Sequence, residues 1–149
     1  MKRTILLTLM LLFSISKSFS CSCIGTNEPL SKKIEKAYSE SDIVVTGKIL
    51  NESTERTGLY VSSSDIVTYT IELTEIIKGS IKSAIIEIKS YRGSDYCGYI
   101  FEIDQEYLIY SYKKDKGNFT DLCTRTNKIS KLNKKELKLL NEINYKDKE

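Results

Sequence analysis

The chain has 149 residues, with 23 basic and 20 acidic side chains, four cysteines and no histidine. Its formal charge of +3 comes from Lys2, Arg3 and Lys17, because residues 1–20 contain no Asp or Glu. The remainder is nearly neutral, which argues against a nucleic-acid partner bound through bulk positive charge. Without histidine the chain cannot form a Ser-His or Cys-His pair, and its carboxylates form no recognisable pair. We therefore predict that it is not an enzyme and uses no cofactor.

The first 20 residues are typical of a secretory signal peptide. Two basic residues precede a mostly apolar run over 5–15, which is too short to span a bilayer. Ser18 and Ser20 place small side chains at positions −3 and −1 of a cut before Cys21. This predicts a signal peptide over 1–20 and one mature domain over 21–149, secreted or held in the cell envelope.

Cys21 also allows a second interpretation, in which the protein is a lipoprotein acylated on this residue. Ser18 stands at the −3 position, where a lipobox prefers Leu. In this interpretation an acyl chain would anchor the protein, and we expect contact with a membrane only if Cys21 is lipidated. A cut without acylation would instead leave a free α-amino group beside the Cys21 carbonyl, an arrangement suited to bidentate metal binding.

The predicted elements begin with a helix and continue as strands. Leu30, Ile34, Ala37 and Tyr38 share one helical face after Pro29. Period-two alternation and β-branched residues then predict five strands, over 43–49, 67–74, 84–88, 107–112 and 119–123. Residues 51–65 are predicted as a long, mobile, exposed hairpin loop, and 113–117 as a charged turn.

A last helix is predicted to follow Asn133 as its N-cap, with Glu136 in an arrangement like a capping box. Leu137, Leu140 and Ile143 form its apolar stripe. Five strands with flanking helices fit a mainly β fold, most simply a five-stranded closed OB-type barrel.

The four cysteines are Cys21, Cys23, Cys97 and Cys123, an even number in a chain bound for an oxidising compartment. They predict two disulfides that staple the domain. Three pairings exist, and a bond between Cys21 and Cys23 would be strained because one residue separates them. The other two pairings remain open on these grounds, and each would close long loops.

Six motifs in order resemble the inhibitory domain of the tissue inhibitors of metalloproteinases, within the netrin-like module family. They are Cys21-Ser22-Cys23, the strand over 41–48, the strand over 69–79 that ends in Lys-Gly, Cys97-Gly98-Tyr99, Glu106-Tyr107-Leu108-Ile109, and Cys123 followed by 127–132. Together they span nearly all of residues 21–149, so the resemblance implies the OB-type fold of that family for the whole mature domain.

The resemblance also implies a disulfide pairing and a mechanism. The pairs would be Cys21–Cys97 and Cys23–Cys123. The amine and carbonyl of Cys21 would chelate the catalytic zinc of a target metalloprotease, which is the implied partner. Ser22 would enter the primary specificity pocket beside Cys23, and Asp95 and Tyr96 would flank the contact surface. The alternative is a netrin-like binding or structural module of the cell envelope that inhibits nothing, with a lipid anchor at Cys21.

Overall fold

The computed structural model describes residues 21, 23, 27–56 and 58–147, and this part of the chain is mainly β, as predicted. Its longer elements are two helices and six strands: α1 (Leu30–Glu40), β1 (Ile43–Glu55), β2 (Ile66–Lys78), β3 (Ile85–Tyr91), β4 (Glu106–Lys114), β5 (Gly117–Phe119), β6 (Asn127–Lys128) and α2 (Lys134–Asp147). Short 3-10 helices lie at Ser94–Tyr96 and Ile129–Lys131. Neither α1 nor α2 combines the length and apolar character that crossing a bilayer requires.

The six strands form one sheet in which β1 pairs antiparallel with both β2 and β4. β3 pairs with β2 on one side and, in parallel, with β5 on the other. β5 returns to β4 through a hairpin, and β6 adds to β4. The pairings of β1 to β5 therefore run in a ring, and β6, which the sequence did not predict, lies outside it.

The bounds of all five predicted strands differ from the prediction, and the differences in β1 and β5 change the loops beside them. β1 continues to Glu55, because residues 51–55 pair with 66–70 of β2, so the hairpin loop is limited to 56–65. Most of these added residues are exposed, and they show no alternation of apolar and polar side chains that would predict a strand. The predicted fifth strand over 119–123 is wrong beyond Phe119, because Asp121 starts a turn there.

An aromatic and aliphatic core lies on one side of β1 and β4. Ile43, Val45 and Ile109 are buried in it, together with Tyr69 and Phe101, whose ring centroids are 4.8 Å apart. Burial raises the pKa of Tyr69 to about 12. Every second side chain along each of these strands therefore packs into this core, as the period-two pattern predicts.

The two helices cover the opposite side of the same strands. Ile34 of α1 and Leu140 of α2 are fully buried against Val44 and Leu108. β1 and β4 are therefore buried on both faces over part of their length. The helices supply the second layer that a sheet needs to bury its outer face.

The start of α2 confirms one predicted cap and corrects another. The Lys135 N–H donates to Asn133 Oδ1 at 3.0 Å, so Asn133 caps the helix as predicted. The Glu136 carboxylate does not complete a capping box. Both of its oxygens instead accept hydrogen bonds from Arg125, at 2.8 and 2.7 Å. This ion pair, with Glu136 only 3% exposed, joins α2 to the segment that follows Cys123.

Candidate functional site

Two neighbouring disulfides hold the residues around Cys21. Cys21 is bonded to Cys97 and Cys23 to Cys123, which is the pairing that the resemblance implies. The Cys21 and Cys123 sulfurs are 4.0 Å apart, so the two bonds lie side by side. Because each cysteine is in a disulfide, their clustered sulfurs offer no thiolate to a metal ion.

Asp95 and Tyr96 lie exposed directly before the first of these bonds, in a tight turn that ends at Cys97. The Cys97 N–H donates to the Ser94 carbonyl at 3.1 Å, and Cys97 adopts a left-handed backbone with φ 58°. The Tyr96 side chain is 52% exposed. The structure thus brings Asp95 and Tyr96 next to the disulfide of Cys21. We call residues 21, 23, 95–97, 122 and 123 the disulfide ridge.

The turn before Cys97 rests on the base of the β1–β2 loop. The Gly93 N–H donates to the Ser63 carbonyl and the Arg92 N–H to the Asp65 carbonyl, both at 2.9 Å. A side chain at position 93 would collide with Ser63, so glycine is required for this close approach. The sequence prediction missed this contact. The Ser-Ser-Ser-Asp run over 62–65, typical of hydrogen-bonded turns, could have indicated it.

Asp121 organises the turn that carries Cys123. Its Oδ1 accepts the N–H groups of Cys123 and Thr124 at 2.8 and 3.0 Å, and its Oδ2 accepts the Tyr112 hydroxyl at 2.7 Å. Burial, followed by this hydrogen bond, raises the pKa of Tyr112 above its ordinary value. Sequence analysis did not single out Asp121, although an Asp two residues before a turn residue is a common sign of such a cap.

A further hydrogen bond connects the two disulfide segments. The Leu122 N–H donates to the Cys97 carbonyl at 2.8 Å. Behind it, the buried Ser90 hydroxyl donates to the Thr120 carbonyl and accepts the Tyr99 N–H. The ridge is therefore backed by backbone and hydroxyl hydrogen bonds as well as by its two covalent links.

The family model described as tissue inhibitor of metalloproteinase matches residues 20–148 of the chain. The chain belongs to this family. A search of curated proteins finds no match. Membership in the tissue inhibitors of metalloproteinases suggests an inhibitor-like function and is consistent with a protein that is not an enzyme.

Two of the predictions concern residues outside the described part of the chain. One is the predicted signal peptide over 1–20, and the other is Ser22, the residue that the resemblance assigns to a specificity pocket. In this member of the tissue inhibitors of metalloproteinases, the structure describes the ridge at Cys21, at Cys23 and in the segments around Cys97 and Cys123.

Proposed function

We propose that this protein is a secreted inhibitor of zinc metalloproteases that acts through the first residue of its mature chain. A signal peptidase cuts before Cys21, and the new amine and the Cys21 carbonyl chelate the zinc ion of the target. The observation that carries the proposal is the pair of adjacent disulfides, Cys21–Cys97 and Cys23–Cys123, which tie this one segment to two others.

The chemistry of an α-amine suits this role. An α-amino group has an ordinary pKa near 7.7–8.0, so a useful fraction is neutral at neutral pH and has a free lone pair. A catalytic zinc keeps one position open for water, and a neutral amine with an adjacent carbonyl oxygen can replace that water. Because the disulfides hold the segment before it binds, less conformational entropy is lost on association.

The remaining contacts follow from the neighbours of Cys21. Ser22 enters the primary specificity pocket, and the exposed side chains of Asp95 and Tyr96 contact the rim of the protease cleft. We propose in addition that the ring of strand pairings from β1 to β5 is a closed OB-type barrel that carries the ridge. A barrel without free edges would give the ridge a rigid base.

The decisive test is a single alanine inserted before Cys21. It displaces the amine from the Cys21 carbonyl, and we expect inhibition of a panel of zinc metalloproteases to be abolished. A matched control carries the extra alanine after Glu149, at the other end of the chain, and should inhibit like the parent protein. Circular dichroism and disulfide mapping establish that both variants keep the fold. Equal potency of the two variants would refute the mechanism.

The intact mass of the mature protein, measured without reduction, tests the processing step. A mass for 21–149 with two disulfides leaves the amine free. A mass raised by acyl groups would block the amine and overturn the inhibitor mechanism in favour of a lipid-anchored netrin-like module.

A further inference from the structure

The tip of the β1–β2 loop presents three consecutive apolar side chains to solvent. Leu59 is 92% exposed, Tyr60 85% and Val61 61%. Adjacent apolar side chains that are exposed to water are typical of a surface that binds a membrane or another molecule. We call residues 59–61 the apolar tip.

The apolar tip stands on an ordered base. The Ser62 N–H donates to Asp65 Oδ2 at 2.9 Å, and the Asp65 N–H donates to the Ser62 carbonyl at 3.1 Å. Next to them, the Ser63 carbonyl accepts the Gly93 N–H. The hydrogen bonds at the base hold the tip in a defined place beside the disulfide ridge.

A group of lysines lies at the same end of the molecule. Lys113, Lys114 and Lys116 belong to the β4–β5 hairpin, and they line a cleft together with Ser64 and Ile66, which follow the apolar tip in sequence. We call these three residues the lysine hairpin. Lys114 Nζ lies 5.0 to 5.3 Å from the centres of three aromatic rings.

The lysine hairpin carries more positive than negative charge, although the Asp42 carboxylate accepts the Lys113 backbone N–H at 2.7 Å. Among the described residues, no carboxylate forms a salt bridge with any of its three lysines. Asp115 is the one acidic residue between them in sequence. Although residues 21–149 are close to neutral as a whole, this end is therefore locally basic.

We propose that the apolar tip and the lysine hairpin together bind the surface of an anionic lipid membrane. The side chains of 59–61 enter the interface, where a tyrosine can keep its hydroxyl among the headgroups. The lysine ammonium groups contact headgroup phosphates. The negative surface potential of the membrane attracts these positive charges and so favours binding. This route to a membrane needs no acyl chain on Cys21.

The combination of features favours a lipid surface over other partners. A soluble polyanion would be bound by the lysines and would leave the apolar tip in water. A hydrophobic groove on a protein would cover the tip but would gain nothing from the unpaired lysines. An anionic bilayer offers both an apolar layer for the tip and a layer of negative charge for the lysines.

Membrane binding would also place the disulfide ridge close to the bilayer. The Tyr96 ring is 5.8 Å from that of Tyr91, and Lys114 Nζ is 5.3 Å from the centre of the Tyr91 ring. The ridge residue Tyr96 and the lysine hairpin thus share a neighbour. A protein that binds the disulfide ridge would then be bound at the membrane surface.

The test is flotation with phosphatidylcholine vesicles, with and without phosphatidylglycerol. Protein expressed from the full chain is used after its mass has shown that Cys21 carries no acyl group. Two variants remove the two features. The serine variant carries Leu59→Ser, Tyr60→Ser and Val61→Ser, and the glutamine variant carries Lys113→Gln, Lys114→Gln and Lys116→Gln. Matched controls change exposed residues of α2, Tyr145→Ser for the first and Lys134→Gln, Lys135→Gln and Lys138→Gln for the second.

We expect the parent protein to bind vesicles that contain phosphatidylglycerol, more weakly as salt is raised. Each of the two variants should bind at least about tenfold more weakly. For the glutamine variant, the reason is that each lysine near an anionic surface contributes about a fivefold factor. For the serine variant, the reason is the loss of the apolar area that enters the interface. Both controls should bind like the parent protein.

Three outcomes would overturn the proposal. The first is a parent protein that does not float with anionic vesicles. The second is a serine variant that binds as well as the parent, which would identify a purely electrostatic attachment to the vesicle in which the apolar tip takes no part. The third is a serine variant that loses protease inhibition while the parent binds no vesicle, which would assign the tip to a protein contact.

Discussion

The helix-covered face and the disulfide ridge lie on the same sheet but are held to it in different ways. On the helix-covered face, Ile34 and Leu140 are fully buried against Val44 and Leu108, so apolar contact holds α1 and α2 in place. At the ridge, Tyr96 and Leu122 remain exposed. There the chain is held by two disulfides and by turns whose N–H groups are bonded to Asp121 and to backbone carbonyls.

The difference fits the role that we propose for the ridge. Burial stabilises a segment by removing its apolar area from water, and a buried segment cannot also contact a partner. A surface that must stay accessible needs links that do not cover it, such as covalent bonds and capped turns. The partly buried Arg125–Glu136 ion pair joins the two regions, because Arg125 follows the Cys123 turn and Glu136 belongs to α2.

The largest effect is expected from removing the second disulfide with Cys23→Ser and Cys123→Ser together. This bond joins residues 100 positions apart. In the chain-entropy description, its loss lowers the free energy of unfolding by about 4–5 kcal/mol. Urea unfolding without reductant measures the change, and Ser130→Ala, at an exposed position, is the control. A loss below about 1 kcal/mol would mean that packing rather than the covalent link holds the ridge.

A loss that is at most of similar size, about 2–5 kcal/mol, is expected for Leu140→Ala on the helix-covered face, because the variant removes buried methyl groups and leaves a cavity. The matched control is Leu122→Ala on the ridge, where the side chain is 44% exposed and the cost should stay within about 0.5 kcal/mol. Both are read from urea unfolding curves. Equal losses at the two positions would remove the distinction between the regions.

The smallest effect concerns the hydroxyl that Tyr112 donates to Asp121. Tyr112→Phe should cost about 1 kcal/mol at neutral pH, at the low end for a bond to a carboxylate because Tyr112 is partly exposed. Tyr145→Phe, at an exposed position of α2, is the control and should change little. Urea unfolding measures both variants.

The same bond gives a pH dependence. Burial and the Asp121 bond raise the pKa of Tyr112 above its ordinary value of 10.0. The hydrogen bond between Tyr112 and Asp121 therefore stabilises the fold fully below pH 10. This stabilisation is lost as the pH rises through the pKa that Tyr112 has in the folded protein. The parent protein should lose its advantage over Tyr112→Phe above pH 10. A difference that stays constant with pH would show that the hydroxyl does not titrate with folding.

Much of the secondary structure could be predicted from local patterns. The helical spacing of Leu30, Ile34 and Tyr38 identifies α1, and alternation along 67–73 identifies the core of β2. The end of β1 could not be predicted, because residues 51–55 are polar and mostly exposed. They form a strand because residues 66–70 lie beside them. Glu136 has the right spacing for a capping box, but Arg125, distant in sequence, binds it instead.

The candidate site was predictable to a similar degree. The resemblance implied the disulfide pairing that the structure contains. It also named Asp95 and Tyr96, whose exposed side chains lie beside Cys97, and their contact with a partner stays a prediction. Asp121 and Ser63 were missed. Their roles depend on hydrogen bonds to residues that the fold brings near them, and a polar residue in a loop has the same local pattern whether or not it has such a partner.

The sequence by itself determined the helical and strand periods, the even number of cysteines and the order of motifs that identifies the family. These are local properties, because the spacing of apolar residues along a few turns decides which face is buried. Only the tertiary structure decided that the base of the β1–β2 loop packs on Gly93 and that the apolar tip shares one end with the lysine hairpin. Such contacts join residues far apart in the chain, and their geometry is set by how the strands pair.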